Sequence, residues 1–379
     1  MKKSKGKKKI QWQQYIAMAF FMLIGAVCGV LMVQYMDKSV QSDASMGEEL
    51  FSLVCLFVGM YVAIFIQLII HEAGHLVFGL VSGYKFSSFR IFSFMWVKEN
   101  EKIRLRRLSI AGAGGQCLMS PPDMEEGKIP LVLYNLGGSL MNVITSASLF
   151  ALYIFTKNVP FLSVILLMCA IVGIVIAIMN GVPLRLGTVD NDGYNAFSLT
   201  RNSEAMRSFW IQMKVNEQLA KGVRLKDMPD EWFAVPYDEA MKNSMVVVMG
   251  IFACNRLMDQ QDFQEADKLM EHIMSIESGM VGLHRSLMVC DRMYIEMISE
   301  NRKEIIDGML TKEQKQFMKQ MKKFPSVLRT EYALALLHDK ERENAEKIKT
   351  LFEKCAKSYP YQNDVESERE LMKIAEGKD

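Results

Sequence analysis

From Leu50 through Ile70 the chain carries no charged residue, and that run leads directly into His71, Glu72 and His75. About 20 apolar residues span the hydrocarbon core of a bilayer, so this segment reads as a membrane-crossing helix. Three further segments have the same character: Tyr15 to Met36, Ile129 to Phe155 and Pro160 to Leu184. The first follows a lysine-rich stretch (Lys2, Lys3, Lys5, Lys7, Lys8, Lys9) that would also suit a signal peptide. Its apolar run exceeds the roughly 7–15-residue core of such a peptide, so it reads as an uncleaved anchor. The apolar character of the second span continues to about Tyr84. That is longer than a perpendicular span needs, so the segment must tilt, break or protrude.

Residues 201–379 have a different composition, charged and helix-periodic throughout. The expected fold class is therefore mainly α. It comprises a four-helix transmembrane bundle with a small membrane-surface β-hairpin, followed by a soluble α-helical, tetratricopeptide-like domain. The expected boundaries are 1–48 (basic N-terminus, first span and outer loop), 49–200 (membrane core) and 201–379 (helical domain).

Lysine and arginine set the orientation of such a chain. The N-terminus is basic, and the loop before the third span carries Lys85, Arg90, Lys98, Lys102, Arg104, Arg106, Arg107 and Lys128. Arg185 and Arg201 follow the fourth span, whereas the two remaining loops hold only Lys38 and Lys157. Every basic cluster falls on one side if both termini are cytoplasmic. A formal net charge of +2 gives no reason to expect nucleic acid as a partner. The seven cysteines are scattered with no C-x-x-C pair, which argues against both a disulfide framework and a cysteine metal site.

His71-Glu72-Ala73-Gly74-His75 is an H-E-x-x-H sequence. Residues four apart share a helix face, so both imidazoles can reach one metal ion, with Glu72 beside it as a proton acceptor. Zn2+ is the ion this pattern suits, and it lowers the pKa of a bound water from about 15.7 towards 7. Chance occurrence is the competing explanation in a soluble helix. Here the ionisable groups follow a run whose one strongly polar member is Gln67, and charged groups in a membrane helix cost about 2.5–3.5 kcal/mol each. A third protein ligand is then required. The membrane half has no other histidine, so a carboxylate at the end of another span is the natural candidate. Asp190 and Asp192 both follow the fourth span, although Asp190-Asn191-Asp192-Gly193 also reads as a plain polar turn.

With these residues in view, the chain resembles the site-2 protease family of intramembrane zinc metalloproteases, the M50-type peptidases. The resemblance covers roughly residues 50–200. The first family motif is intact at His71–His75. Gly138-Ser139-Leu140-Met141-Asn142 resembles the second, with Ser139 where proline is usual. Asn180-Gly181-Val182-Pro183 and Asn191-Asp192-Gly193 resemble the third, with Asn191 in place of leucine and about four extra residues between the two parts. Gly114-Gly115-Gln116 resembles the family's Gly-Gly-Tyr loop segment. The motifs come in family order on consecutive spans.

The resemblance implies that residues 49–200 are a catalytic core, with His71, His75 and Asp192 holding Zn2+. Asp192 is preferred to Asp190 because Gly193 follows it. Glu72 would be the general base, and Asn142, with Asn180 second, would hydrogen-bond the substrate or its oxyanion. It implies a multi-pass protein of a bacterial cell membrane, with the lipid bilayer as its surroundings and a transmembrane or signal-peptide-like protein as its substrate. A non-catalytic membrane scaffold is the alternative; an intact Glu72 argues against it, because binding alone needs no base.

Around residues 86–110, Phe89, Ile91 and Val97 precede a polar break at Glu99-Asn100-Glu101, and Ile103-Arg104-Leu105-Arg106 alternates, which reads as a hairpin. Its edge could add a substrate strand, or its basic side chains could rest on anionic lipid. In the C-terminal half, Ala266, Leu269, Met270 and Ile273 share one helix face, as do Ala345, Ile348, Leu351, Phe352 and Cys355. Val246 to Phe252 is apolar but too short to span, so it reads as a buried helix. Helix pairs such as 325–338 with 341–358 resemble degenerate tetratricopeptide hairpins, and Tyr359-Pro360 stops the second of these helices. Residues 201–379 thus read either as a docking module for a cytoplasmic protein partner or as a cap that steadies the fourth span.

Overall fold

The structure is a computed structural model of the chain, and it describes residues 15, 18, 19, 22, 25–34, 45–99, 102–108, 114–184 and 191–379. The chain divides into two compact units, Met1–Ser82 with Pro130–Arg201, and Gly83–Ile129 with Asn202–Asp379.

The first unit is helical. Helix α1 spans Gly25–Gln34, α2 Met46–Val81, α3 Leu131–Phe155, α4 Pro160–Gly181 and α5 Asp192–Leu199. Among the described residues, α2, α3 and α4 are long and apolar enough to cross a membrane. The expected bundle of four is thus described as three such spans. The remaining one, Tyr15 to Met36, falls partly outside the described residues, and α1 is its longest described stretch. Cys28 and Met32 of α1 are buried against Leu56 of α2 and Met168 of α4.

Ser45 starts α2 with a reciprocal cap: its hydroxyl accepts from the Glu48 N–H, and the Glu48 carboxylate accepts from the Ser45 N–H at 2.8 Å. The helix then runs unbroken for 36 residues. At 1.5 Å per residue that is about 54 Å, against roughly 30 Å of hydrocarbon core, so of the three options tilt or protrusion applies and a break does not. Leu56, Ala63, Gln67, His71, Gly74 and His75 form its buried stripe. Phe57, Tyr61 and Phe65 face outward.

Glycines bring α2 and α3 together almost backbone to backbone. A Cβ on Gly137 would lie 2.7 Å from the Gly74 carbonyl oxygen, closer than real contacts allow. Small residues at a helix crossing are what permits such an approach in a membrane.

The second unit combines a sheet with helices. The expected hairpin is in fact a four-stranded antiparallel sheet. Strand β1 is Lys85–Ile91, β2 Phe94–Glu99, β3 Lys102–Arg107 and β4 Gly115–Ser120, in the order β3-β2-β1-β4. The expected polar break does separate β2 from β3. The expected segment holding Phe89, Ile91 and Val97 is two strands, β1 and β2, and Gly115-Gln116 opens β4 rather than a loop. Met95 and Val97 of β2 point into the core of this unit. On the opposite face, Phe94, Trp96, Ile103 and Leu105 are all exposed.

Nine helices complete the unit among the described residues: α6 Ser203–Ala220, α7 Val247–Asp259, α8 Phe263–Ser275, α9 Gly282–Ile298, α10 Lys303–Met309, α11 Lys312–Gln320, α12 Pro325–Ala333, α13 Arg342–Ala356 and α14 Gln362–Glu376. The expected buried faces form: Ala266, Met270 and Ile273 are fully enclosed, as are Ala345 and Phe352. Leu351 departs from expectation and is exposed. Tyr359-Pro360 ends α13, but α14 follows it and packs Val365, Leu371, Met372 and Ala375 into the same core. Arg329 of α12 is 1 % exposed and is held by the carboxylates of Asp291 and Glu368.

Candidate metal centre

His71 and His75 are one helical turn apart on the buried stripe of α2, and Asp192 is the first residue of α5. The separation of 117 positions between His75 and Asp192 in sequence is closed by the fold. Nε2 of His71 lies 3.0 Å from Asp192 Oδ2, Nε2 of His75 lies 3.3 Å from the same oxygen, and the two Nε2 atoms are 3.3 Å apart. His71 and His75 are buried; the Asp192 side chain is about one quarter exposed.

Each imidazole is oriented by the hydrogen bond at its other nitrogen. His75 Nδ1 is 2.9 Å from the Tyr134 carbonyl, so it carries the proton and donates. His71 Nδ1 is 2.8 Å from Asn142 Oδ1. The Asn142 amide nitrogen donates to the Gln67 carbonyl at 2.9 Å and to Gln67 Oε1 at 2.8 Å, which leaves Oδ1 to accept from His71. Gln67 Nε2 in turn donates to the Cys169 carbonyl of α4 at 3.1 Å. In hydrocarbon every such group must find a partner within the protein, so this relay across three helices leaves little choice of tautomer.

Both Nε2 lone pairs and a carboxylate oxygen therefore converge with no proton of their own between them. Three acceptors at this distance repel unless a cation sits among them. Two imidazoles and a carboxylate are the donor set of a catalytic zinc site, and ligand bonds of 2.0–2.1 Å in a tetrahedron give ligand–ligand edges of ~3.3 Å. The observed triangle fits that requirement.

Packing fixes the triangle from outside. A Cβ on Gly138 would lie 2.6 Å from His71 Cε1, so α3 can approach the ring only with glycine there. Asn191 caps α5 by accepting from the Tyr194 N–H at 2.9 Å, and its amide donates to the Met179 and Val182 carbonyls at 2.7 and 2.6 Å. The residue that departs from the family's leucine is thus a staple between the end of α4 and the start of α5. Glu72 is buried beside His71. Asn142 is fully buried; its amide nitrogen donates to Gln67 and its Oδ1 faces His71 Nδ1. Asn180 donates to the Ile176 carbonyl of its own helix at 3.0 Å. Asp190 lies outside the described residues.

The positioning role of Gln67, the Tyr134 carbonyl and the stapling role of Asn191 are absent from the reading of the sequence. Gln67 carried a usable signal, because it sits four residues before His71 on the same helix face. A backbone carbonyl leaves no trace in a sequence.

No curated protein and no solved structure matches the chain. A family model does: the one described as Peptidase family M50 matches residues 59–329. That match covers most of the chain, and the chain accordingly belongs to peptidase family M50, the site-2 protease family.

Proposed function

We propose that the chain is an intramembrane zinc metalloendopeptidase, with His71, His75 and Asp192 as the metal ligands and Glu72 as general base. The observation that carries this reading is the triangle of two imidazole nitrogens and one carboxylate oxygen, with edges of 3.0, 3.3 and 3.3 Å. Zinc held there supplies Lewis acidity for the scissile carbonyl and a water of lowered pKa. Glu72 takes the proton of the attacking water and returns it to the leaving amine. Asn142, Gln67 and the Tyr134 carbonyl keep both imidazoles aimed at the centre, as outer partners of metal ligands do elsewhere.

The substrate is a membrane-spanning or signal-peptide-like protein. Its carbonyls become accessible only when it is extended, and β3, an edge strand of the sheet, offers main-chain groups for pairing. The exposed Phe94, Trp96, Ile103 and Leu105 face, with Lys98 and Arg107 at its ends, suits contact with an anionic lipid surface. Residues 49–200 act as the catalytic core behind a basic N-terminal segment, 1–48. Residues 201–379 form a tetratricopeptide-like module for a cytoplasmic protein partner, with both termini on the cytoplasmic side.

Two measurements test the reading. Purified protein should contain stoichiometric zinc in the wild type and in Glu72→Gln, and lose it in His71→Ala and Asp192→Ala. Membrane peptides compared between wild type and Glu72→Gln should show products missing from the variant. Metal-free wild-type protein would end the proposal; unchanged peptides and unchanged biological output in Glu72→Gln would favour a scaffold.

A further inference from the structure

The C-terminal helices line a partly open cavity of about 260 Å³ that takes no part in the chemistry above. Four carboxylates line it (Asp259, Asp291, Asp364 and Glu368) against two guanidinium groups, Arg224 and Arg329. The arginines are already committed. Arg224 contacts Asp259 at 2.5 Å and Glu370 at 2.7 Å, while Arg329 is held by Asp291 and, at 2.9 Å, by Glu368. Asp364 has no hydrogen bond or ion pair among the described residues. Half-buried charge without a partner is unfavourable, and the wall has two more negative than positive groups.

Two further atoms on the wall lack partners. Arg329 is 1 % exposed and its Nη1 has no hydrogen bond; His284 Nδ1 is buried and has none. Burial holds His284 below the ordinary histidine range, so it does not provide the missing positive charge. The remaining wall is apolar, including Val248, Phe252, Leu287 and Phe324.

We infer that this cavity is a binding site for an alkyl cation, an ammonium or guanidinium group on an aliphatic stem, as in a lysine or arginine side chain. The stem lies along the apolar wall and the cation reaches Asp364. The orphan Nη1 and Nδ1 suit a carbonyl and a further polar group of the same ligand, which favours a residue within a peptide over a free amine. Ligand pockets for drug-sized molecules run from roughly 300 Å³ upward, so a cavity of this volume suits one side chain better than a whole cofactor. Burial beside Glu368 and Asp259 pushes the Asp364 carboxyl up to about 7, in keeping with a carboxylate that lacks its cation.

The test is calorimetric titration of the full chain in detergent micelles with blocked Gly-Gly-X-Gly-Gly peptides, X being Arg, Lys, norleucine or Glu, and with agmatine. The Arg or Lys peptide should bind at least about tenfold more tightly than the norleucine peptide, and Asp364→Asn should lose that margin. Because Asp364→Asn removes an unfavourable charge, it keeps the fold, which circular dichroism checks. Agmatine matching the Arg peptide would assign the site to a free amine; a weaker agmatine would assign it to a peptide. Equal binding of norleucine, preference for Glu, no binding by any cation, or an unaffected Asp364→Asn would each overturn the inference. None of these outcomes bears on the zinc content that tests the metal centre.

Discussion

Asn142 Oδ1 accepts a hydrogen bond from His71 Nδ1 at 2.8 Å, and the amide nitrogen of the same side chain donates to Gln67 on the helix that carries His71. One asparagine of α3 thus fixes both the position and the tautomer of a residue on α2. Asn142→Ala should lower zinc affinity or cleavage by about 10–100-fold, the usual cost of losing an outer partner of a metal ligand. Competition with a chromogenic chelator measures the affinity. Gln67→Ala should show the same effect at smaller size, and unchanged zinc affinity in both would refute the relay.

The Gly138 contact gives a steric prediction. Gly138→Ala would put a methyl group 2.6 Å from His71 Cε1. At Gly59 the nearest atom, Ile165 Cδ1, is 3.6 Å away, an ordinary contact. Gly138→Ala should therefore abolish zinc retention, while Gly59→Ala leaves it intact; metal analysis of the two purified variants decides.

Asn191 joins the end of α4 to the start of α5. Asn191→Ala removes a helix cap worth about 1 kcal/mol and frees the turn that positions Asp192. Asn191→Ser restores the cap but not the amide bonds to Met179 and Val182. Zinc affinity should fall in the order wild type, Asn191→Ser, Asn191→Ala, and an equal affinity of all three would show that the staple does not matter to Asp192.

Arg329 sits between Asp291 and Glu368 in the core of the helical domain. Arg329→Ala leaves two buried carboxylates without their cation, a loss of about 3–5 kcal/mol. Thermal unfolding followed by far-UV circular dichroism should show the domain melting far earlier in this variant. A small shift would mean that water already reaches the carboxylates.

Asp364 gives the domain a pH dependence of defined sign. Burial, Glu368 and Asp259 raise its folded-state value to about 7, against about 3.9 in an unfolded chain. Between those values the folded state holds a proton that the unfolded chain has lost. The associated stability is complete below pH ~4 and is lost as pH rises through 7, on the order of 4 kcal/mol. Asp364→Asn should flatten this decline and melt later than wild type at pH 8. A parallel decline in both would assign the slope to other groups.

What could be read from the sequence was local or repeated. The spacing of His71 and His75 follows from the helical period alone, and apolar length alone marks α2, α3 and α4. The buried faces of α8 and, Leu351 apart, of α13 follow from periodicity in the same way. Asp192 stood level with Asp190 on local grounds, and the family resemblance favoured Asp192 through the Gly193 that follows it. Tertiary structure decided the rest. The expected hairpin became four strands, with β1 split from β2 and β4 added, because strand pairing is a long-range event and β4 does not alternate clearly enough to announce itself. The contacts of Asn142 with Gln67 and His71 leave no local signal because those partners lie 75 and 71 positions away. Convergence of three acceptors within hydrogen-bonding distance depends on how closely α2, α3 and the start of α5 approach, and that approach is set by glycine contacts no single segment contains. Periodicity propagates along one helix, whereas a metal triangle is a property of the space between helices, and only folding creates that space.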